Sequence, residues 1–196
     1  MRRLMSVLFS LACLAGAGSA GAQAYPNKPV TWIVPFAVGG PTDALARSIA
    51  ERVARELGQP IVVENTPGAG GTVGAGKAAR APADGYTMLV GHMGYMGAAP
   101  ALYKKLPYDP VRDFEPVLRF PDTPLVLMVR RDHPARDVKA LVEAARVQPD
   151  KIFFGNAGTG STSHLIAALV ANSLAIKVTM VPYKGAGPAL IDVIGG

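Results

Sequence analysis

The sequence predicts an α/β protein built from two segments, each with a mostly parallel sheet. Three observations carry this. Short β-branched runs alternate with helical periods along the chain, the pattern of βαβ units. Strand-to-helix junctions are glycine-rich, at Gly39-Gly40, Gly68 to Gly71 and Gly155 to Gly160. A proline- and tyrosine-rich stretch, 100–110, separates the two runs of elements.

Val30 to Phe36 (VTWIVPF) is a short apolar run and reads as a buried strand, with Trp32 in the core. Leu45, Ile49, Val53 and Leu57 recur every four residues and share one helix face, while Arg47, Glu51, Arg52, Arg55 and Glu56 lie elsewhere. Pro41 suits the first helical position and Asp43 complements the positive helix start. Gly58 closes the helix and Pro60 prevents its restart. Ile61 to Glu64 is the next strand. Pro67 to Gly71 leads into a small-residue helix near Thr72 to Arg80, and Asp84-Gly85 turns the chain into a strand at Tyr86 to Val90.

Beyond the connection, Leu125 to Val129 reads as a strand. Val138, Leu141, Val142 and Ala145 mark a helix stopped at Pro149. Ile152 to Phe154 is a strand, 155–160 a loop and Ser161 to Asn172 a helix. Val178 to Val181 is a strand that ends in Pro182-Tyr183-Lys184-Gly185, and a last helix starts near Pro188. The expected organisation is a first lobe over 25–100, a connection over 101–110 and a second lobe over 111–196.

The first 24 residues stand outside this pattern. Arg2-Arg3, the apolar run Leu4 to Ala17 and Ala22-Gln23-Ala24 form a charged region, an apolar region and an A-x-A cleavage site. That is the layout of a secretory signal peptide cut after Ala24, which places the mature protein in the periplasm. The apolar run is shorter than the roughly 20 residues of a spanning helix. Cleavage removes Arg2, Arg3 and no acid, so the formal net charge falls from +6 to +4. It also removes Cys13, the one cysteine, leaving an exported chain without thiol chemistry.

Composition narrows the function. With 49% hydrophobic and 17% charged residues the chain is globular, not disordered. The modest, dispersed positive charge favours anionic ligands and gives no basic run for nucleic acid. In open parallel sheets, ligands sit beyond the carboxyl ends of the strands. Helix amino termini there present free N–H groups to an anion. Three such glycine-rich loops facing one cleft would make a carboxylate or phosphate site.

Two motifs mislead. Gly71 to Lys77 matches G-x-x-x-x-G-K, but Ala78 stands where a phosphate-binding loop needs Ser or Thr for magnesium. Gly74-x-Gly76-x-x-Ala79 has no strand directly before it. His92, His133 and His164 lack metal-ligand spacing, so neither a metal nor a cofactor is expected. Ser161, Ser163 and His164 raise an alternative function, an exported serine hydrolase or transferase. No G-x-S-x-G elbow accompanies them, and neighbours on a helix diverge.

Five blocks in one order go further: YPNKPVTWIVPFAVGGPTDALAR (25–47), LGQPIVVENTPGAGGTVGAGKAARAPADGYTMLVG (57–91), LYKKLPYDPVRDFEPV (102–117), FFGNAGTGSTSHL (153–165) and VPYKGAGPALIDVIGG (181–196). Together they resemble the solute-binding receptors of tripartite tricarboxylate transporters, the Bug family. The resemblance implies a two-lobed periplasmic-binding-protein fold (type II-like) closing around a small organic carboxylate. It implies delivery to membrane permease subunits, no catalysis, and leaves a sensor kinase open as a second partner.

The resemblance also implies site residues. In the first loop they are Phe36 as a wall, Gly39, Gly40 for backbone approach of the ligand, and Thr42 as a hydroxyl and N–H donor. Asp43 would accept bonds from water or a ligand amine, or cap the helix. The second loop gives Gly70, Gly71 and Thr72 as amide donors. The second lobe gives Gly155, Asn156, Ala157, Gly158, Ser161, His164 and Tyr183. Val38 stands where the family usually has proline, and Asn156 where serine is common. The family continues past Gly195-Gly196, so the expectation is a fold truncated before its second lobe is complete.

Overall fold

The computed structural model describes residues 24–196. Apart from Ala24, the signal peptide expected over 1–24 lies outside the described residues.

The first unit holds β1 (Val30–Val34), α1 (Pro41–Leu57), β2 (Ile61–Asn65), α2 (Thr72–Ala79) and β3 (Thr87–Leu89). Its three strands run parallel in the order β2-β1-β3. β1 is central, and Val30, Trp32, Ile33 and Val34 are all buried. A strand covered on both faces needs such a predominantly apolar run; Thr31 alone interrupts it. Ala46 and Ala50 of α1 pack on Val30, Trp32 and Val34, with Ile49 and Val53 beside them. The small alanines let the helix lie close to the sheet. β1 stops at Val34, short of the expected Phe36, because Pro35 has no N–H for a ladder. α1 runs from Pro41 to a left-handed Gly58, as its caps predict.

The stretch after β3 carries no helical period, yet it winds into a π-helical turn, Gly94–Ala98, and then α3 (Ala99–Leu102). Tyr95 is buried there and joins Phe36, Ala75, Ala99 and Tyr108 in one cluster. The hydroxyl of Tyr108 donates to Tyr95 O at 2.5 Å. Tyr103 and Leu106 pack on this cluster too, so the connection is seated on the first unit. Phe114 adds to the same cluster and Phe120 packs on the cluster under α1.

The second unit holds α4 (Val138–Val147), β4 (Phe153–Asn156), α5 (Thr162–Ser173), β5 (Thr179–Pro182) and α6 (Ala186–Gly195). β4 and β5 pair in parallel, Phe153 opposite Thr179 through Asn156 opposite Pro182. Leu141, Val142 and Ala145 of α4 meet Phe154, Ala171 and Ile176 in the core. Asp137 caps α4, accepting from the Ala140 amide at 2.7 Å. α6 begins two residues before Pro188, whose missing N–H costs nothing inside a first turn.

The strand expected at Leu125 to Val129 is not formed. The segment has no ladder partner among the described residues, and all five side chains are exposed. β-branched composition favours extended backbone but cannot supply the neighbouring strand.

Candidate functional site

A cavity of about 460 Å³ lies where the two units meet, within the usual size of a small-ligand site. The turn after β2 lines it with Gly68, Ala69 and Gly70, and the loop after β4 with Ala157, Gly158 and Thr159. The end of β5 and the start of α6 supply Pro182, Tyr183, Lys184 and Pro188. All three walls thus follow the carboxyl ends of parallel strands. Among the described residues Lys184 is the one charged residue in the lining. The lining is small-residue and largely apolar with one basic residue, a chemistry compatible with a small organic anion.

The local backbone explains the turn after β2. Gly68, Ala69, Gly70 and Gly71 all have positive φ, and Gly71 N–H closes the turn on Gly68 O at 2.9 Å. The amides of Ala69 and Gly70 precede that first bond. A Cβ on Gly70 would run into Thr159 O of the other unit, and one on Gly71 into the Tyr95 ring. Thr72 is not in the cavity lining; its N–H and its hydroxyl both donate to Ala69 O, the hydroxyl at 3.0 Å, and hold the turn.

The two units touch through backbone. Ala37 N–H donates to Lys184 O at 2.9 Å. A Cβ on Gly187 would lie 2.9 Å from Val38 O, one on Gly94 2.7 Å from Gly160 O, and one on Gly158 3.3 Å from Gly70 N. Glycine is required on this seam because there is no room for more.

The first loop stands beside the seam. Phe36 is buried, its ring against His92 and Tyr95, so it supports the wall from behind. Gly40 starts α1, and its Cβ position is 3.4 Å from Gly187 N. Thr42 is half-buried on the first turn of α1. Asp43 is buried and wholly engaged. It accepts from Gly39 N–H at 3.0 Å, Arg47 Nε at 3.0 Å and Asn65 Nδ2 at 2.9 Å. Asn65 also donates to Phe36 O at 3.0 Å. Burial would raise the Asp43 carboxyl; the bonds from Arg47, Gly39 and Asn65 outweigh it and hold the pKa below the ordinary carboxylate value. The acid therefore ties the first loop to β2.

In the second unit Asn156 is buried, and its Oδ1 accepts from Gly158 N–H at 3.0 Å. That bond shapes the loop, so the Asn156 amide is structural. Gly155 lies in β4, its Cβ position 3.5 Å from the Tyr183 ring. Tyr183 lines the cavity with its ring, while its hydroxyl donates to Asp192 at 2.7 Å; that bond raises its pKa. Ser161 is fully buried and caps α5, accepting from His164 N–H at 3.3 Å. Ser163 Oγ accepts from Ala157 N–H at 2.9 Å, and His164 Nδ1 from Gly160 N–H at 3.4 Å. The imidazole thus meets a backbone amide, and neither serine is bonded to it as a nucleophile to its base.

Of the residues the resemblance implies, Gly70, Ala157, Gly158 and Tyr183 line the cavity. Phe36, Gly39, Gly40, Thr42, Asp43, Gly71, Thr72, Gly155, Asn156, Ser161 and His164 are not in its lining. Gly68, Ala69, Thr159, Pro182, Lys184 and Pro188 line it without being among the expected site residues. Pro188 and Lys184 lie in the block VPYKGAGPALIDVIGG, so the signal was present. His92 was also missed as a contact between units. Its Nδ1 is 3.0 Å from Thr162 Oγ1, at the start of α5, and burial pushes its pKa down.

Two parallel α/β units with a cavity at their strand-end loops define the fold of a periplasmic binding protein. The chain belongs to the tripartite tricarboxylate transporter family receptor group, whose profile matches residues 45–196. It is similar to a protein encoded in the TAR-I ttuE-ttuC' intergenic region of Agrobacterium vitis, 41% identical over 99% of this chain and 56% of the relative. Among solved structures, one titled as a periplasmic transporter superposes with a TM-score of 0.86 at 45% identity, covering 88% of this chain and 58% of that one. MatC of Rhodopseudomonas palustris, with bound malate, superposes with a TM-score of 0.81 at 43% identity, covering 86% and 57%. The chain therefore spans somewhat more than half the length of these relatives.

Proposed function

We propose that this chain is an extracytoplasmic receptor that captures a small organic carboxylate in the cavity and presents it to membrane permease subunits. The carrying observation is the lining itself. Strand-end loops from both units line it, and among the described residues Lys184 is the one charged residue of that lining and no acid belongs to it. Such a site holds an anion by N–H donation and charge, and it has no paired nucleophile and base to transform it. The malate bound by MatC supports the same ligand chemistry. Export through a signal peptide cut after Ala24 would bring the receptor to the periplasm.

The test is mass spectrometry of small molecules released on denaturing the purified exported chain, followed by calorimetry with a panel of mono- and dicarboxylates. Recovery of an unmodified carboxylate that rebinds supports the reading; no binding across the panel overturns it. Amino-terminal sequencing of the same material should begin at Tyr25.

A further inference from the structure

We propose that Tyr103 is a positioning residue that couples the two walls of the cavity, so that its hydroxyl tightens ligand capture without touching ligand. The inference rests on reading the cavity as the ligand site. Tyr103 directly follows α3, in the connection between the units. Its hydroxyl oxygen lies 3.1 Å from Ala69 O and 3.1 Å from Thr159 O. Ala69 belongs to the turn after β2 and Thr159 to the loop after β4, and both line the cavity while Tyr103 does not.

A phenol carries one proton, and here two carbonyls on opposite walls share it. The arrangement is available only while the walls stand close. If the units part, the hydroxyl keeps at most one partner. Ala69 O also accepts from Thr72, but Tyr103 is the one donor to Thr159 O among the described residues. Losing the hydroxyl therefore leaves Thr159 O without a donor among the described residues. The ring is aimed independently of that bond. It packs on the cluster around Phe36, Ala75 and Tyr95, and its Cε2 is 3.4 Å from the Cβ position of Gly160. Removing the hydroxyl should thus leave the ring in place.

The experiment is Tyr103→Phe in the exported chain, which is free of cysteine once the leader is removed. Nitroxide labels at Val62 and Leu169, exposed positions on the first and second unit, report the distance between units by pulsed electron resonance. The expected result is an added longer-distance population in Tyr103→Phe. Amide exchange should rise at least threefold at 68–71 and 157–160, with β1 exchange and the melting temperature unchanged. Malate serves as the ligand probe, and its Kd should rise about tenfold, equivalent to about 1.4 kcal/mol. An unchanged distance distribution with unchanged loop exchange overturns the proposal. So does a general rise in exchange that includes β1, which would make the hydroxyl merely structural. An unchanged Kd beside changed distances overturns the effect on capture. If wild type does not bind malate, the carboxylate recovered from the purified protein replaces it as the probe, and failure of that acid to rebind overturns the reading of the cavity.

Discussion

Replacing Gly70 by alanine separates two costs that this glycine hides. Its φ of 62° and ψ of 17° lie in the left-handed region, where a Cβ costs about 1–2 kcal/mol. Gly58, at φ 65° and ψ 14°, has almost the same backbone, with nothing within 4 Å of its Cβ position. Gly58→Ala therefore measures the strain alone. At Gly70 the added methyl also meets Thr159 O and lies 3.2 Å from Ser161 N, both in the other unit. Moving the units apart relieves that collision. Both variants should lose similar stability, about 2–8 °C in Tm at roughly 2–4 °C per kcal/mol for a chain of this size. Only Gly70→Ala should weaken carboxylate binding, by at least about tenfold, or 1.4 kcal/mol. Thermal scans and calorimetry with the acid recovered from the wild type check both numbers. Equal affinities in the two variants would refute the collision argument and return Gly70 to a simple turn requirement.

Gly71→Val should fail to fold, not merely lose ligand, because its side chain enters the buried Tyr95 ring; soluble yield and circular dichroism decide this. Asp43→Asn should cost about 1–3 kcal/mol in urea unfolding at pH 7. The depressed carboxyl pKa means that its stabilisation is present above the ordinary value near 3.9 and is lost as pH falls below it, so wild type and variant should converge in acid. His92 has the opposite charge type. The exposed imidazole takes a proton near pH 6.5 while the packed one resists, so the contact with Thr162 should weaken as pH falls below about 6.5. His92→Gln should flatten that limb of Tm against pH. Ser161→Ala should lower stability by about 1 kcal/mol through the lost cap of α5, and neither it nor wild type should cleave an ester or amide panel.

Much of the fold was legible because its causes are local. The four-residue spacing from Leu45 to Leu57, bounded by Pro41 and Gly58, specifies α1 without reference to anything else. The apolar residues of β1, interrupted only by Thr31, announce burial on both faces. Leu125 to Val129 misled because a strand exists only with a neighbour, and the run says nothing of one. The site was legible at the level of loops and not of contacts. Asp43 is explained by Asn65, 22 residues away, and Tyr103 by Thr159, 56 residues away. No spacing rule connects such pairs. Thr72 and Asn156 carry the right chemistry for a ligand, but turn geometry claims their polar atoms first.

The glycine seam between the units also constrains how the cavity can be retuned. Glycine is the smallest residue, so any mutation at Gly70, Gly94, Gly158 or Gly187 can only add atoms to a contact that is already closed. The walls are different. Ala157, Thr159 and Pro188 carry side chains that can grow, shrink or change polarity. Engineering directed at those three positions could redirect ligand shape while the apposition of the units is inherited unchanged. Libraries that randomise the seam would return mostly units that no longer meet.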